Sequence, residues 1–241
     1  MLRLIAVGVV VTCSLMIAAP VPKPTERELK ARWGEIVKGA EEDRFQFERS
    51  SLTLTASPRK VFGHGLGPWD PDTPSPRTRH VVRGDFDVSV KLTKLHHPDA
   101  KDADKGSGRL MAGLYLRDDR TLIVNPWRTT LRKLDRLSLE FDWTNKHDHR
   151  LGWSEGGGRC AVGGTGGTDG TAIWLRIRRK DDLVFVAISG DEKEWCEQQL
   201  EKVIPKLLLA EKVEIGVFVC PDEKRKVEAT FSDFKLTVGR K

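Results

Sequence analysis

The sequence predicts an all-β protein, in which antiparallel strands form a β-sandwich or jelly roll behind one short N-terminal helix. Most of the chain after residue 44 alternates apolar with polar side chains and is rich in β-branched and aromatic residues. Clusters of Gly, Pro and Asp separate these short runs. Many short strands with a single helix favour two packed sheets over an α/β fold.

The first residues are typical of a secretory signal peptide. Arg3 gives a positive start, and a short apolar run from Leu4 to Ala19 ends before Pro20. This run is too short for a spanning helix, which needs about 20 apolar residues. We therefore expect residues 1–19 to direct export and to be removed, so that the protein is secreted, periplasmic or held at the cell surface. An uncleaved membrane anchor is the alternative.

Residues 20–44 are predicted to form a Pro-rich linker followed by the short helix. Three prolines before Thr25 exclude a helix there. Thr25 and Glu28 have the spacing of a capping box. Apolar residues at helical spacing follow and are Leu29, Trp33, Ile36 and Val37. The helix is predicted to end at Gly39, and residues 45–241 to form one β-sandwich domain, since no later segment has the composition of a boundary.

Alternation of apolar and polar residues predicts the strands of this domain in turn. Residues 45–48 and 51–55 form an opening pair, and residues 84–92 are the clearest half-buried strand. The core-facing residues of that strand are Phe86, Val88, Val90 and Leu92. Further strands are predicted at 110–116, 137–143, 174–179, 183–188, 215–220, 226–231 and 234–238. The apolar phase of the last two differs, which predicts a bulge near Ser232 and Asp233.

The charge of the chain argues against nucleic-acid binding. Lys and Arg total 41 against 35 Asp and Glu, a formal net charge of +6. Acidic residues interrupt the cations at 176–182 and 222–226, whereas a nucleic-acid binder clusters its cations on one element. A basic sheet face would instead attract an acidic polysaccharide or another acidic surface polymer.

Neither the cysteines nor the histidines predict a metal site or a cofactor. Cys160, Cys196 and Cys220 remain after residue 19, an odd number that allows one disulfide or leaves buried thiols. No C-x-x-C pair suggests zinc. Two histidine pairs have ligand-like spacing, but no further ligand is evident for either; they are His96 with His97, and His147 with His149. The glycine-rich residues 156–170 lack the lysine of a phosphate-binding loop and are predicted to form a surface loop.

Six segments occur in an order that resembles a known bacterial family. They are Gly84–Val88, Ala112–Asp118, Trp174–Arg179, Ala187–Asp191 with Trp195, Val213–Phe218 and Ala229–Phe234. They resemble the regulation-of-enolase-like family of unknown function, and the Pro-rich start with Trp33-Gly34 resembles exported planctomycete-type members. The resemblance covers residues 45–238. It implies a concanavalin A-like lectin/glucanase fold, a jelly-roll β-sandwich whose concave face is available for carbohydrate, and it implies no set of catalytic residues.

Glycoside hydrolysis is the alternative hypothesis for the function. Glucanases of this fold carry a strand motif Glu-x-Asp-x-Glu, and Glu140 and Asp142 match its first two acids. Residues two apart lie on one face of a strand, close enough for one carboxylate to raise the pKa of the other. Thr144 stands where the third acid, the proton donor, would be. Two solvated acids on an outward strand face are the simpler interpretation.

Non-catalytic binding of a polysaccharide, a cell-surface glycan or another surface partner is the preferred hypothesis. The chain is rich in tryptophan, with seven tryptophans against one tyrosine. An exposed indole can stack on a sugar ring. Trp174 is predicted to face outward and to be exposed beside Arg176 and Arg178. The predicted contact surface comprises these three residues together with Glu140 and Asp142. The tryptophans predicted to anchor the core are Trp33, Trp143 and Trp195, while the oligomeric state is left open.

Overall fold

The computed structural model describes nine stretches of the chain. They are residues 25–59, 75–98, 110–118, 123–124, 127–131, 134–136, 172–181, 183–199 and 210–239. Within them the chain forms the helix α1 (Glu26–Trp33) and the strands β1 (Glu35–Val37), β2 (Arg44–Glu48), β3 (Ser51–Ala56), β4 (Arg77–Arg83), β5 (Phe86–His96), β6 (Leu110–Asp118), β7 (Ile123–Val124), β8 (Trp127–Leu131), β9 (Leu134–Arg136), β10 (Ile173–Lys180), β11 (Leu183–Ser189), β12 (Cys196–Gln199), β13 (Lys212–Val219) and β14 (Val227–Val238).

The strands form two antiparallel sheets. Sheet A has the order β1-β4-β13-β6-β8-β9, with β7 also paired to β6. Sheet B has the order β12-β11-β10-β5-β14-β3-β2. The predicted fold class, an all-β sandwich of two antiparallel sheets with a short N-terminal helix, is confirmed.

One apolar core lies between the two sheets, because the strands alternate as their sequences predict. The core-facing residues of β5, which are Phe86, Val88, Val90 and Leu92, are buried. They pack in one cluster with Leu52 and Leu54 of β3, Leu175 and Ile177 of β10 and Ile215 and Val217 of β13. The alternate residues of each strand therefore lie on the outer face of its sheet.

The opening hairpin and the predicted irregularity in the last strand are both present. β2 and β3 pair from Arg44↔Thr55 to Glu48↔Ser51. The pairing of β14 with β5 shifts between Ser232 and Lys235, and Asp233 has a φ of 53°. The extra residues change the apolar phase, so that Phe231 and Phe234 are both buried.

The helix ends earlier than predicted, at Trp33 rather than at Gly39. The predicted capping box is present, with the Glu28 N–H donating to Thr25 Oγ1 at 3.3 Å. Gly34 then adopts a φ of 86°, and a Cβ there would lie 2.5 Å from the carbonyl oxygen of Arg79. This close approach of β4 stops the helix, and the residues predicted as its last turn form β1 instead.

A buried carboxylate fixes the turn between β1 and β2. Asp43 is fully buried and accepts hydrogen bonds from the backbone N–H groups of Gly39, Ala40 and Ser57 at 2.8–2.9 Å. Arg59 Nη1 donates to the same carboxylate at 2.9 Å. Burial by itself would raise the pKa of Asp43, but the hydrogen bonds from Arg59, Ser57 and Ala40 lower it below its ordinary value.

Several predicted features lie outside the described residues. They are the strand at 137–143, the glycine-rich segment 156–170, Cys160 and the pair His147 and His149. Cys196 is disulfide-bonded, whereas Cys220 is a buried thiol at the end of β13. No helix in the part of the chain that the structure describes has the length and apolar character needed to cross a membrane.

Candidate functional site

The predicted row of Trp174, Arg176 and Arg178 lies along β10 on the outer face of sheet B. The alternate residues of β10, which are Ile173, Leu175 and Ile177, are in the core cluster, so the row faces away from it. Each member pairs across the ladder with one residue of β5 and one of β11. The strand geometry thus sets which side chains can reach the row.

Trp174 faces outward but is not an exposed platform, which corrects the sequence-based expectation. Its exposed fraction is 7%. The ammonium nitrogens of Lys91 and Lys235 lie over the ring, 5.5 and 5.2 Å from its centroid. Lysine stems cover apolar surface well and their charged ends are attracted to an aromatic face, so the two lysines take the place that a sugar ring would need.

Arg176 is held between a carboxylate and a second tryptophan. Its Nε donates to Asp87 Oδ1 at 2.8 Å and its Nη2 donates to Oδ2. Its guanidinium carbon lies 5.4 Å from the centroid of the Trp195 ring. The hydrogen bonds with Asp87 raise the pKa of Arg176 above its ordinary value, against the opposing effect of burial.

Arg178 repeats this arrangement two residues further along the strand. Its Nη2 donates to Glu197 Oε1 at 2.9 Å, and its guanidinium carbon lies 4.4 Å from the centroid of the Phe185 ring. Phe185 is the direct cross-strand neighbour of Arg178 on β11. Each arginine of the row therefore contacts both an aromatic ring and a carboxylate, which fixes its direction.

The turn after β11 presents Trp195 and Glu192 to this face. Asp191 Oδ1 accepts hydrogen bonds from the backbone N–H groups of Lys193 and Glu194 at 2.8 and 3.0 Å, and these lower the pKa of Asp191. Trp195 Nε1 donates to the Glu192 carbonyl at 3.0 Å. The prediction that Trp195 anchors the core is wrong, because the turn carries its half-exposed ring to Arg176 instead.

Cross-strand pairing extends the site beyond β10. One row of directly opposed residues, which we call the Lys91 row, runs perpendicular to the strands. Its members are Ser189, Trp174, Lys91, Ser232, Ser51 and Glu48. Neighbouring strands are about 4.8 Å apart, so the row places serine hydroxyls at short intervals beside the Lys91 ammonium group.

The charged side chains around the row on β10 are nearly all paired. Around Trp174 the described cations are Lys91, Arg176, Arg178 and Lys235, and the carboxylates that pair with three of them are Asp87, Glu192 and Glu197. Asp87 pairs with Arg176, Glu197 with Arg178 and Glu192 with Lys235. Among the described residues no carboxylate lies within ion-pair distance of Lys91, which makes it the cation left over in this group.

Glu140 and Asp142, the other two members of the predicted contact surface, lie outside the described residues. The structure therefore brings together three of the five predicted site residues, namely Trp174, Arg176 and Arg178. It adds Lys91 and Lys235 to them. Lys91 occupies an outward position of the predicted strand 84–92, but its contact with Trp174 depends on which strands are neighbours.

The outer face of sheet A differs in its chemistry. Met111, Tyr115, Phe218 and Cys220 form a small apolar cluster there and are buried. The Tyr115 hydroxyl donates to the carbonyl oxygen of Thr78 at 2.8 Å. Burial raises the pKa of Tyr115 above its ordinary value, and its hydroxyl completes a hydrogen bond beside this packed cluster.

The histidine pair within the described residues is engaged in local contacts. His96 Nε2 lies 3.6 Å from Glu228 Oε1, and His97 Nδ1 is hydrogen-bonded to the carbonyl oxygen of Lys226 at 2.9 Å. Over the described ranges no three His, Cys, Asp or Glu side chains gather in a way that could hold a metal ion.

Comparison with known proteins supports the fold. No family model matches the chain, and no curated protein matches it. A functionally unknown protein from Saccharomyces cerevisiae is similar to it, with a TM-score of 0.57, 14% identity, and coverage of 88% of this chain and 98% of that one. At this identity the likeness shows the fold alone.

Two further solved structures have lower TM-scores. A legume lectin-like domain from Entamoeba histolytica gives a TM-score of 0.49 at 12% identity, covering 92% of this chain and all (100%) of that one. An alginate lyase from Klebsiella pneumoniae gives 0.46 at 10% identity, covering 83% and 85%. These weaker likenesses support no conclusion about ligand or reaction, so any such conclusion has to come from the residues themselves.

Proposed function

We propose that this protein binds a polysaccharide or cell-surface glycan, without catalysis, on the outer face of sheet B. The observation that carries the proposal is the ordered set of cation–aromatic contacts along β10. Trp174, Arg176 and Arg178 each make one within an otherwise polar sheet face. Side chains fixed in this way lose little freedom when a ligand binds, which favours affinity.

The same face is better suited to binding than to chemistry. Glycoside hydrolysis needs one carboxylate that attacks or activates water and another that donates a proton. The oxygens of Asp87 and Glu197 already accept hydrogen bonds from the arginines of the row. Within the described part of the chain, these carboxylates orient cations rather than face one another across a groove. Hydrolysis by Glu140 and Asp142 is the competing function.

We also propose that the protein is exported and is a planctomycete-type member of the regulation-of-enolase-like family. The apolar run between Leu4 and Ala19 supports export. The disulfide at Cys196 is consistent with an oxidising compartment, since such bonds are rare in the cytosol of most organisms. The ordered segments from Gly84 to Phe234 support the family assignment.

A glycan array combined with a reducing-sugar assay tests the binding function. We expect at least one glycan to be bound and none of the bound glycans to be cleaved. Arg176→Gln and Arg178→Gln should each weaken binding roughly tenfold, the effect of losing one charge-assisted contact. Arg83→Gln, at an exposed position of sheet A, removes the same charge and should leave binding unchanged.

Two results would contradict the proposal. Release of reducing ends that disappears in Glu140→Gln would make the protein a hydrolase. Equal binding by the wild type and by the two arginine variants would place the glycan site away from Arg176 and Arg178. Detection of the mature protein in the culture medium or periplasm, starting after residue 19, tests export separately.

A further inference from the structure

The ammonium groups of Lys91 and Lys235 share one aromatic ring, and this arrangement points to the charge of the ligand. We propose that the glycan is acidic and that its carboxylate or sulfate group binds at Lys91 and Lys235 above Trp174. This inference rests on the proposed glycan-binding function and specifies the class of ligand, an acidic glycan. It assigns Trp174 the role of a positioning residue beneath the two lysines rather than that of a sugar-stacking platform.

Lys91 provides a positive charge that no described carboxylate neutralises. Its nitrogen and that of Lys235 both lie within 5.5 Å of the centroid of the Trp174 ring. Like charges held near each other repel, and the attraction of each for the ring offsets only part of that repulsion. Lys91 has no ion-pair partner among the described residues, so an anionic group from a ligand would satisfy it directly.

Lys235 provides a second charge that is open to exchange. It pairs with Glu192, but the Lys235 side chain is 59% exposed and that of Glu192 is 36% exposed. Ion pairs this exposed contribute about 1 kcal/mol or less to stability. An anionic sugar next to Lys91 can therefore compete with Glu192 for the Lys235 ammonium group at little energetic cost.

The surroundings favour a sugar polymer over other acidic partners. Ser232 and Ser51 continue the Lys91 row across β14 and β3, and Thr53 and Thr230 lie beside them with their hydroxyl oxygens 3.0 Å apart. Such hydroxyl groups can exchange hydrogen bonds with the hydroxyls of a sugar chain that crosses the strands.

The lysine pair also lacks the features that other polymers need. Base stacking in single-stranded nucleic acid requires an open aromatic ring, and the Trp174 ring is covered. Protein interfaces depend on apolar or aromatic anchors that fill pockets. The large apolar side chains that are exposed among the described residues are Val81, Leu183 and Val238. None of them is a member of the Lys91 row.

Matched polymers that differ in charge alone test the inference. Binding of the full-length protein to polygalacturonate is compared with binding to the same polymer after methyl esterification, and binding to dextran sulfate with binding to dextran. We expect the charged member of at least one pair to bind at least tenfold more tightly. The pair that shows the difference distinguishes a carboxylate from a sulfate ligand. Poly-L-glutamate and single-stranded DNA serve as acidic polymers without the relevant sugar chain, and we expect neither to compete.

Variants assign the effect to the lysine pair. Lys91→Gln should weaken binding of the acidic polymer roughly tenfold, the loss of one charge-assisted contact. Lys212→Gln removes the same charge from an exposed position of sheet A and should change nothing. Glu192→Gln releases Lys235 and should strengthen binding roughly threefold. Glu211→Gln, an exposed change of the same charge near sheet A, is its control.

Failure of this inference can be told apart from failure of the proposed function. If neutral and acidic polymers bind equally, and Lys91→Gln and Lys212→Gln behave alike, glycan binding stands and the acidic ligand is wrong. If poly-L-glutamate or single-stranded DNA competes as well as polygalacturonate, the site recognises charge without sugar and the inference is overturned. If no glycan binds at all, both proposals are wrong.

Discussion

The outer faces of the two sheets start from the same strand alternation and end in different chemistry. On sheet A the outward residues Tyr115 and Phe218 are fully buried, in a cluster with Met111 and Cys220. On sheet B the outward residues Arg176 and Arg178 keep about a third of their side-chain surface exposed. Accessible polar groups therefore lie around β10 on the outer face of sheet B, while the cluster around Tyr115 forms a second, small apolar core on sheet A.

A local departure from regular pairing accompanies the buried face. Gly216 lies opposite β4, where a Cβ would come within 2.0 Å of the carbonyl oxygen of Thr78. That oxygen accepts its hydrogen bond from the Tyr115 hydroxyl, and the Thr78 hydroxyl instead accepts from the Val217 N–H at 3.2 Å. Side chains thus replace part of the backbone ladder on sheet A, whereas on sheet B the arginines of β10 form ion pairs above the regular pairing of β10 with β5 and β11.

Among substitutions that test this difference between the two faces, the largest expected effect is a loss of stability caused by a change in sheet A. Phe218→Ala removes a fully buried ring and should lower the free energy of unfolding by about 3–5 kcal/mol, measured by urea denaturation. Val81→Ala is the control, because Val81 is 51% exposed on the same sheet and its truncation should change stability by less than about 0.5 kcal/mol. Similar losses for both variants would show that the cluster is not a second core.

A smaller loss is expected when the buried hydroxyl of sheet A is removed. Tyr115→Phe leaves the Thr78 carbonyl without this donor and should cost about 1–3 kcal/mol. Burial raises the pKa of Tyr115 above its ordinary 10.0, so the unfolded state loses this proton first and stability falls as pH rises above that value. Urea denaturation at pH 8 and above pH 10 should show that the alkaline loss is reduced in Tyr115→Phe.

Patterns within one strand allowed the fold to be predicted, because alternation depends on neighbours in sequence. The buried face of β5, the irregularity at Asp233 and the outward direction of Trp174 all follow from it. The lysine cover of Trp174 does not, since Lys91 and Lys235 come from two other strands whose order is a property of the whole sheet. The same limit explains why the sequence predicts Trp195 to lie in the core. The position of a tryptophan in the sequence does not reveal a turn that places its ring on the outer face.

A still smaller effect on stability is expected within the row on sheet B. Arg176→Gln removes the ion pair with Asp87, a pair whose side chains are 28% and 36% exposed. Solvent screens such pairs, so the free energy of unfolding should fall by about 1 kcal/mol or less, measured by urea denaturation. This variant should instead lose glycan affinity, the reverse of the result expected for Phe218→Ala. A loss as large as that of Phe218→Ala would make the row structural.

The smallest expected effect appears in acid, at the turn that carries Glu192 and Trp195 to sheet B. Hydrogen bonds from the backbone N–H groups of Glu194 and Lys193 lower the pKa of Asp191 below its ordinary 3.8. The contribution of Asp191 to stability is therefore present above that value and is lost as pH falls through the lowered pKa. Asp191→Asn should lower the melting temperature slightly at pH 7, and its difference from the wild type should shrink as pH falls through the lowered pKa. A difference that stays constant through this acid titration would mean that the turn depends on the shape of this side chain rather than on its charge. The stability contributed by Tyr115 of sheet A is lost at high pH, and that contributed by Asp191 beside sheet B is lost at low pH. Measurements of stability at the two ends of the pH range should therefore distinguish the contributions of the two faces.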